Sequence, residues 1–274
     1  IIWKRAFAGC TGFTEIEIPE IVSAIGEGAF YGCSSLTGIA TIGKGAFEGH
    51  SSLAETEIPE SISGIGKGAF EGCISLAKIE IPENISAIGE GAFEGCAGLT
   101  KIEIPENVSS IGEGAFKDCT GLAEIEMPKN ASDIGKSVFE GCSLLTEIRI
   151  PEGITEINEQ TFKDCTALKK AIVPESLITI KSKAFYNCIS LESVKISKNV
   201  QTIGYEAFRK CSSLKTVDMT EATVSKIDEY AFSETTIKKF TIPETVTTID
   251  RILSDLSLEE LTVLGGDGGN LEKL

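Results

Sequence analysis

The sequence predicts an α/β repeat solenoid, and three observations carry that prediction: a Phe that returns at a nearly constant period, an alternating apolar segment at a fixed offset from it, and a Cys at another fixed offset. The phenylalanines are Phe7, Phe30, Phe47, Phe70, Phe93, Phe116, Phe139, Phe162, Phe185, Phe208 and Phe232. Their intervals are 23 residues, apart from one of 17 and one of 24. Each follows an Ala except Phe139, after Val138, and Phe162, after Thr161. A period of this size marks a unit that cannot bury its apolar side alone and must stack on its neighbours. Such an array has no single central core. One elongated domain is therefore expected over residues 1–264, of about 11–12 coils of ~23 residues, with a flexible Gly-rich tail or linker over 265–274.

The unit reads A-F-x-G-C-x-x-L-x-x-I-x-I-P-E-x-V-x-x-I-G-x-G and is displayed clearly by residues 92–114. Its L-x-x-I-x-I segment alternates apolar and polar residues, the mark of a strand with one buried face. The Pro that follows ends the strand, because it offers no ladder N–H. Strands are predicted to begin at Phe13, Leu53, Leu76, Leu99, Leu122, Leu145, Leu168, Leu191, Leu214, Ile237 and Leu258. A-F-x-x-C is too short for a full helix and is expected to form a helical or 3₁₀ turn that drops Ala, Phe and Cys inward.

The nine cysteines do not read as a disulfide framework. Cys10, Cys33, Cys73, Cys96, Cys119, Cys142, Cys165, Cys188 and Cys211 share one repeat position, which His50 fills in the short-interval repeat. Stacking would align them about 4.8 Å apart and pointing the same way, whereas a disulfide needs Cβ atoms nearer about 3.8 Å and facing. A buried, unpaired column is expected. The recurring G-x-G before Ala-Phe has the wrong spacing for a phosphate loop. Later repeats place Asn158/Gln160 and Lys181/Lys183 there, from which neither positive φ nor a close approach of a ligand is expected at these turn positions.

Two stretches break the pattern. Between Phe30 and Phe47 the six residues equivalent to E-I-E-I-P-E are missing, so the short coil at 33–50 is expected to lack its strand. After Ile249 the A-F-x-x-C signal disappears, while Leu258–Val263 still reads as a strand, giving a divergent last coil over 250–264. The chain opens inside a repeat and reads as part of something longer, with signal and anchor outside it.

The formal net charge is −16 and the pI about 4.6, which argues against nucleic acid and anionic membrane as partners. Residues 1–137 hold 9 Lys/Arg against 20 Asp/Glu, and residues 138–274 hold 16 against 21. No apolar run approaches the roughly 18 residues of a spanning helix, so no direct membrane insertion is expected.

L-x-x-I-x-I-P joined to A-F-x-x-C at this period resembles the BspA-like, or treponemal-type, leucine-rich repeats, over about residues 5–263. The resemblance implies a right-handed curved superhelix with a parallel sheet on its concave side and short turns on the convex side. It also implies an extracellular or cell-surface location, and adhesion or binding of a protein or glycan on a host or neighbouring cell. The short coil, and the loss of Pro at Ser197 and Thr220, depart from the pattern.

Side chains that alternate with the buried Ile should point out of the sheet in two columns. One reads Glu17, Glu57, Glu80, Glu103, Glu126, Arg149, Ile172, Lys195, Asp218, Thr241, Thr262; its neighbour includes Glu55, Lys78, Lys101, Glu124, Glu147 and Lys170. Four stacked carboxylates, Glu57 to Glu126, would repel at strand spacing, with Lys78 and Lys101 placed to offset them. They read either as a surface for a cationic partner or as a solvated face copied when repeats duplicated. Copying explains Arg149, Ile172 and Lys195 less well. The predicted binding residues are accordingly Glu57, Glu80, Glu103, Glu126, Glu147, Arg149, Lys170, Ile172 and Lys195. A second acidic row after the prolines, Glu83, Glu106, Glu152 and Glu175 among them, offers calcium oxygen ligands but no EF-hand spacing. No cofactor or metal is expected. Asn84, Asn107 and Asn130 head N-x-S sequons and read either as glycan acceptors or as turn asparagines.

The single histidine, His50, stands at a core position, and an open sheet offers no desolvated cleft to tune a carboxyl. A non-catalytic binding module is expected, with a structural spacer or stalk as the alternative.

Overall fold

The computed structural model describes residues 2–13, 29, 32–33, 35, 43–58, 64–249, 251–254 and 256–264. The strand expected at Phe13, the strandless segment of the short coil and the Gly-rich tail lie outside the described residues. The chain divides into two compact units, residues 1–145 and 146–274.

From β1 to β18 each coil contributes two strands where the sequence predicts one, and the last described coil contributes β19 alone. In the first unit the L-x-x-I-x-I segments form β1 (Glu55–Glu57), β3 (Lys78–Glu80), β5 (Lys101–Glu103) and β7 (Glu124–Glu126). Their I-G counterparts form β2 (Gly64–Ile65), β4 (Ala87–Ile88), β6 (Ser110–Ile111) and β8 (Asp133–Ile134). In the second unit the longer strands are β9 (Glu147–Arg149), β11 (Lys170–Ile172), β13 (Ser193–Lys195), β15 (Thr216–Asp218), β17 (Lys239–Ile242) and β19 (Glu260–Val263). The shorter ones are β10 (Glu156–Ile157), β12 (Thr179–Ile180), β14 (Thr202–Ile203), β16 (Lys226–Ile227) and β18 (Thr248–Ile249).

All pairings are parallel, and the register advances by one repeat, Ile88 onto Ile111 and Ile180 onto Ile203. The short strands make the continuous sheets, β2-β4-β6-β8 and β10-β12-β14-β16-β18. The longer strands pair two by two, β1 with β3, β5 with β7, β9 with β11, β13 with β15 and β17 with β19. This parallel β-solenoid is the architecture that the repeat predicted.

The third side of each coil corrects the helical expectation, since no helix occurs among the described residues. Around Ala69-Phe70 the N–H groups alternate in direction. Ala69, Glu71 and Cys73 donate back to Gly66, Gly68 and Phe70 at 3.2, 3.2 and 3.0 Å. Gly68, Phe70 and Gly72 instead donate across to Glu90, Ala92 and Glu94 of the next coil at 2.8, 2.7 and 2.7 Å. A helix returns every N–H to its own chain; here half of them tie neighbouring coils together. The second unit repeats the arrangement, with Lys183, Phe185 and Asn187 donating to Tyr205, Ala207 and Arg209 at 2.9, 2.8 and 2.8 Å.

The same turns overturn the expectation drawn from Lys181 and Lys183. The second glycine position is left-handed, φ 60° at both Gly68 and Gly91. Ser137, Gln160, Lys183, Glu206 and Tyr230 adopt that conformation too, at φ 52–60°. At the first position the glycine coils of the first unit pack closely, whereas Asn158 and Lys181 carry a Cβ there in the second. A Cβ on Gly89 or Gly112 would lie 2.6 or 2.5 Å from backbone of the preceding coil. A non-glycine residue in the left-handed region costs about 1–2 kcal/mol, and the second unit bears that cost coil after coil.

Buried columns hold the coils together. Phe rings stack at 5.2 Å for both Phe47–Phe70 and Phe70–Phe93, and at 5.1 Å for Phe162–Phe185 and Phe185–Phe208. Each such pair contributes roughly 0.5–1.5 kcal/mol beyond its burial. None of the nine cysteines is in a disulfide; eight are buried and Cys10 is half-buried. Each thiol also has a job: Cys73, Cys96 and Cys119 donate S–H to the carbonyls of Phe47, Phe70 and Phe93 in the preceding coil at 3.1, 3.1 and 3.0 Å. Burial pushes the Cys73 thiol up to about 12, even against the favourable backbone contact with His50. His50 is itself buried, with Nδ1 2.9 Å from the Phe47 carbonyl. A carbonyl only accepts, so Nδ1 carries the proton.

Candidate functional site

Glu57, Glu80, Glu103 and Glu126 lie on β1, β3, β5 and β7, preceded by buried Thr56 in β1 and by buried Ile79, Ile102 and Ile125 in the others, while Glu15 and Glu17 lie outside the described residues. In β3 and β5 the pattern is exposed–buried–exposed: Lys78-Ile79-Glu80 and Lys101-Ile102-Glu103. Glu57 stands in register with Glu80, and Glu103 with Glu126. The lysines neutralise within their own strands. Lys78 Nζ lies 2.6 Å from Glu80 and Lys101 Nζ lies 3.0 Å from Glu103. Hydrogen bonding to Glu103, and the charges of Glu103, Glu124 and Glu126, hold the Lys101 ammonium above its ordinary value. A groove of about 580 Å³ lies against β3 and β5, lined by these four charged side chains together with Ala77 and Thr100. The middle two carboxylates of the column, Glu80 and Glu103, are thus each paired with a lysine of their own strand, in exposed ion pairs that add little to stability.

The second unit presents a different surface. Arg149 is exposed on β9 and in register with part-exposed Ile172 on β11. Lys195 is exposed on β13, in register with Asp218. Beside them Lys170 and Glu147 form an ion pair at 2.9 Å, and Lys195 reaches Glu221 at 3.3 Å. Asp218 accepts from the Thr220 N–H at 3.1 Å and the Thr220 hydroxyl at 2.8 Å, which holds its carboxyl below the usual range. Arg149 has no ion pair among the described residues.

The row after the prolines binds backbone. Glu106 accepts the Lys129 N–H at 2.8 Å, and Glu152 accepts the Glu175 N–H at 3.2 Å. No group of three or more His, Cys, Asp or Glu side chains is arranged to hold a metal among the described residues. Of the sequon asparagines, Asn107 and Asn130 donate their amides to the Glu83 and Glu106 carbonyls at 2.5 and 3.1 Å, which is the turn role. No helix among the described residues is long and apolar enough to cross a membrane.

The sequence missed the turn ladder as a carrier of side-chain chemistry. In the first unit Glu48, Glu71 and Glu94 stack there; burial, then the charges of Glu94 and Glu48, push Glu71 above its ordinary value. In the second unit Glu206 is buried, 5% exposed, and left-handed. Burial opposes its charge, but hydrogen bonds from Arg209 and Tyr205 and the charges of Arg209 and Lys183 outweigh it and hold the carboxyl below the ordinary range. Arg209 also grips Glu234 at 2.6 Å. The signal for this cluster was three tyrosines within 45 residues, at three different positions of the repeat.

Comparison with known proteins agrees with this geometry. The profile of the BspA type leucine-rich repeat region, in six copies, matches residues 1–41, 40–146 and 133–253. Among solved structures the chain is similar to a Treponema pallidum leucine-rich repeat protein, at 27% identity over 65% of this chain and 78% of that one, TM-score 0.55. It is also similar to a leucine-rich cell surface protein of Faecalibacterium prausnitzii, at 25% identity over 97% of this chain and 83% of that one, TM-score 0.56. A search among curated proteins gave no match.

Proposed function

The chain belongs to the BspA-type leucine-rich repeat family, and from that premise we propose that it is a non-catalytic binding module of a cell surface or secreted protein, engaging a protein or glycan of a host or neighbouring cell. The cell-surface protein of Faecalibacterium prausnitzii is the relative that supports the location. The observation that carries the reading is the Arg149–Ile172–Lys195 patch. A guanidinium with no ion pair among the described residues stands in register with a part-exposed aliphatic side chain, at positions where the first unit has only Glu. Arg beside apolar surface is the composition of interface centres, whereas scattered ion pairs contribute little.

The test is attachment of beads carrying the 274-residue chain to host extracellular matrix, with Arg149→Glu, Ile172→Glu and Lys195→Glu combined. The triple variant is expected to lose most attachment while its melting temperature holds. Unchanged attachment would instead favour the spacer reading, to which the near-identical coils of residues 64–119 are suited.

A further inference from the structure

The turn ladder of the second unit gathers three of the four tyrosines of the chain onto successive coils. Tyr186 follows its Phe, Tyr205 lies between the two glycine-equivalent positions, and Tyr230 occupies the left-handed position itself, at φ 60°. Duplication did not place them, because no two share a repeat position. Stacking brings them together. The Tyr205 and Tyr230 rings meet edge to face at 6.1 Å. Lys183 Nζ sits 6.0 Å from the Tyr186 ring and 6.0 Å from the Tyr205 ring, and Lys210 Nζ sits 5.3 Å from Tyr186.

Four cations gather at these rings on a chain that is acidic as a whole. Lys183, Arg209, Lys210 and Arg251 approach the rings, Arg251 donating to the Tyr230 hydroxyl at 3.2 Å. Of the carboxylates beside them, Glu206 is shared by Arg209 and by Lys183, whose Nζ lies 3.5 Å away, and Glu234 is held by Arg209. Lys210 has no ion pair among the described residues. Tyr205 is 40% exposed. On a chain of net charge −16 an acidic polymer is repelled from most of the surface and concentrated on the exception.

We propose that the tyrosine-lysine strip across coils 181–234 docks an acidic polysaccharide, a site separate from the sheet face. The exposed Tyr205 ring, with half-buried Tyr186 and Tyr230 on either side, offers an aromatic face to the C–H face of a sugar, and the Lys210 ammonium beside it meets carboxylate or sulfate. The strip runs from coil to coil, which suits a linear chain whose sugar rings follow one another at a spacing close to that of the coils. Left-handed Lys183 and Tyr230 stand where the first unit uses Gly91 and Gly114. The unit keeps strained residues where they project charge and ring into the strip.

The test measures binding of the whole chain to immobilised polygalacturonate, heparin and neutral dextran at physiological salt. The expected result is binding to at least one acidic polymer and not to dextran, weakened as salt rises. Polygalacturonate against heparin distinguishes carboxylate from sulfate as the group recognised. Tyr205→Ser and Lys210→Gln should each weaken it about tenfold. Lys183→Gly should weaken it while leaving the melting temperature unchanged or higher, which separates loss of ligand from loss of fold. The sheet-face triple variant should bind the polymer as the wild type does, so this site and the sheet-face reading fail independently. Binding to neither acidic polymer overturns the proposal. So does polymer binding that survives Tyr205→Ser and Lys210→Gln, or that the sheet-face variant abolishes. If those two turn variants lower matrix attachment while no polymer binds, the strip is a protein contact and the proposal is wrong.

Discussion

Between residues 43–145 and residues 146–264 the buried columns are the same and the exposed ones are not. Both units stack Phe at 5.1–5.7 Å and cap the Phe carbonyl of the preceding coil with a Cys thiol. The first unit fills its left-handed turn positions mainly with glycine, and lays alternating Lys–Glu pairs on its sheet. The second fills the same turn positions with Gln160, Lys183, Glu206 and Tyr230, and replaces the sheet-face Glu column with Arg149, Ile172 and Lys195. A repeat fold constrains what faces inward, because each coil must match its neighbour at close packing. What faces outward is free to vary, and in this protein the variation is concentrated in one unit.

If the buried columns are equivalent, Phe93→Ala and Phe185→Ala should cost alike, about 3–5 kcal/mol each by the usual large-to-small scale. Urea unfolding of the two variants measures this, and a difference approaching the full cost of either would break the equivalence. A smaller effect of opposite sign in the two units is expected at the left-handed position. Gly91→Ala should destabilise by about 1–2 kcal/mol, and Lys183→Gly should stabilise or be neutral. Ser197 is buried where other coils have Pro, and its hydroxyl has no hydrogen-bond partner among the described residues. Ser197→Pro should therefore stabilise by about 1 kcal/mol, and thermal melting reads it.

Acid separates the units by sign. Glu71 is held above its ordinary value, so its folded form resists charge; the penalty is present at neutral pH and lifts as pH falls through its raised pKa. Glu206 is held below its ordinary value, so its stabilisation is complete above the unfolded carboxylate pKa, about 4.3, and is lost as pH falls through the lower folded value. Glu71→Gln should raise the melting temperature at pH 7, with the gain shrinking in mild acid. Glu206→Gln should lower it at pH 7, the gap closing only below about pH 4. Melting curves of both variants across that range test the two signs together.

The inward half of the protein was legible in the sequence. The Phe, Cys and Leu columns announce themselves by period, and L-x-x-I-x-I announces a strand by alternation. The I-G strands were not legible, because a strand of two residues such as Ile88's has no alternation to read. Nor were the left-handed turns: Lys183 argues against positive φ when read alone, yet the stacked turns before and after it impose that backbone. The tyrosine strip escaped because Tyr186, Tyr205 and Tyr230 occupy unlike repeat positions and become neighbours only once the coils are stacked. The sheet-face residues were placed correctly on strands, and the pairing of Lys78 with Glu80 and Lys101 with Glu103 followed from side chains two apart sharing one face.

We propose that recognition lies where the second unit stops copying the first. The most direct measurement compares attachment to extracellular matrix of the wild-type chain, the Arg149→Glu, Ile172→Glu, Lys195→Glu triple variant, and a control with Glu80→Gln and Glu103→Gln in the first unit. The account predicts at least a tenfold loss for the triple variant, the scale of a lost interface centre, with the control and all three melting temperatures unchanged. Loss in the control with attachment intact in the triple variant would contradict it.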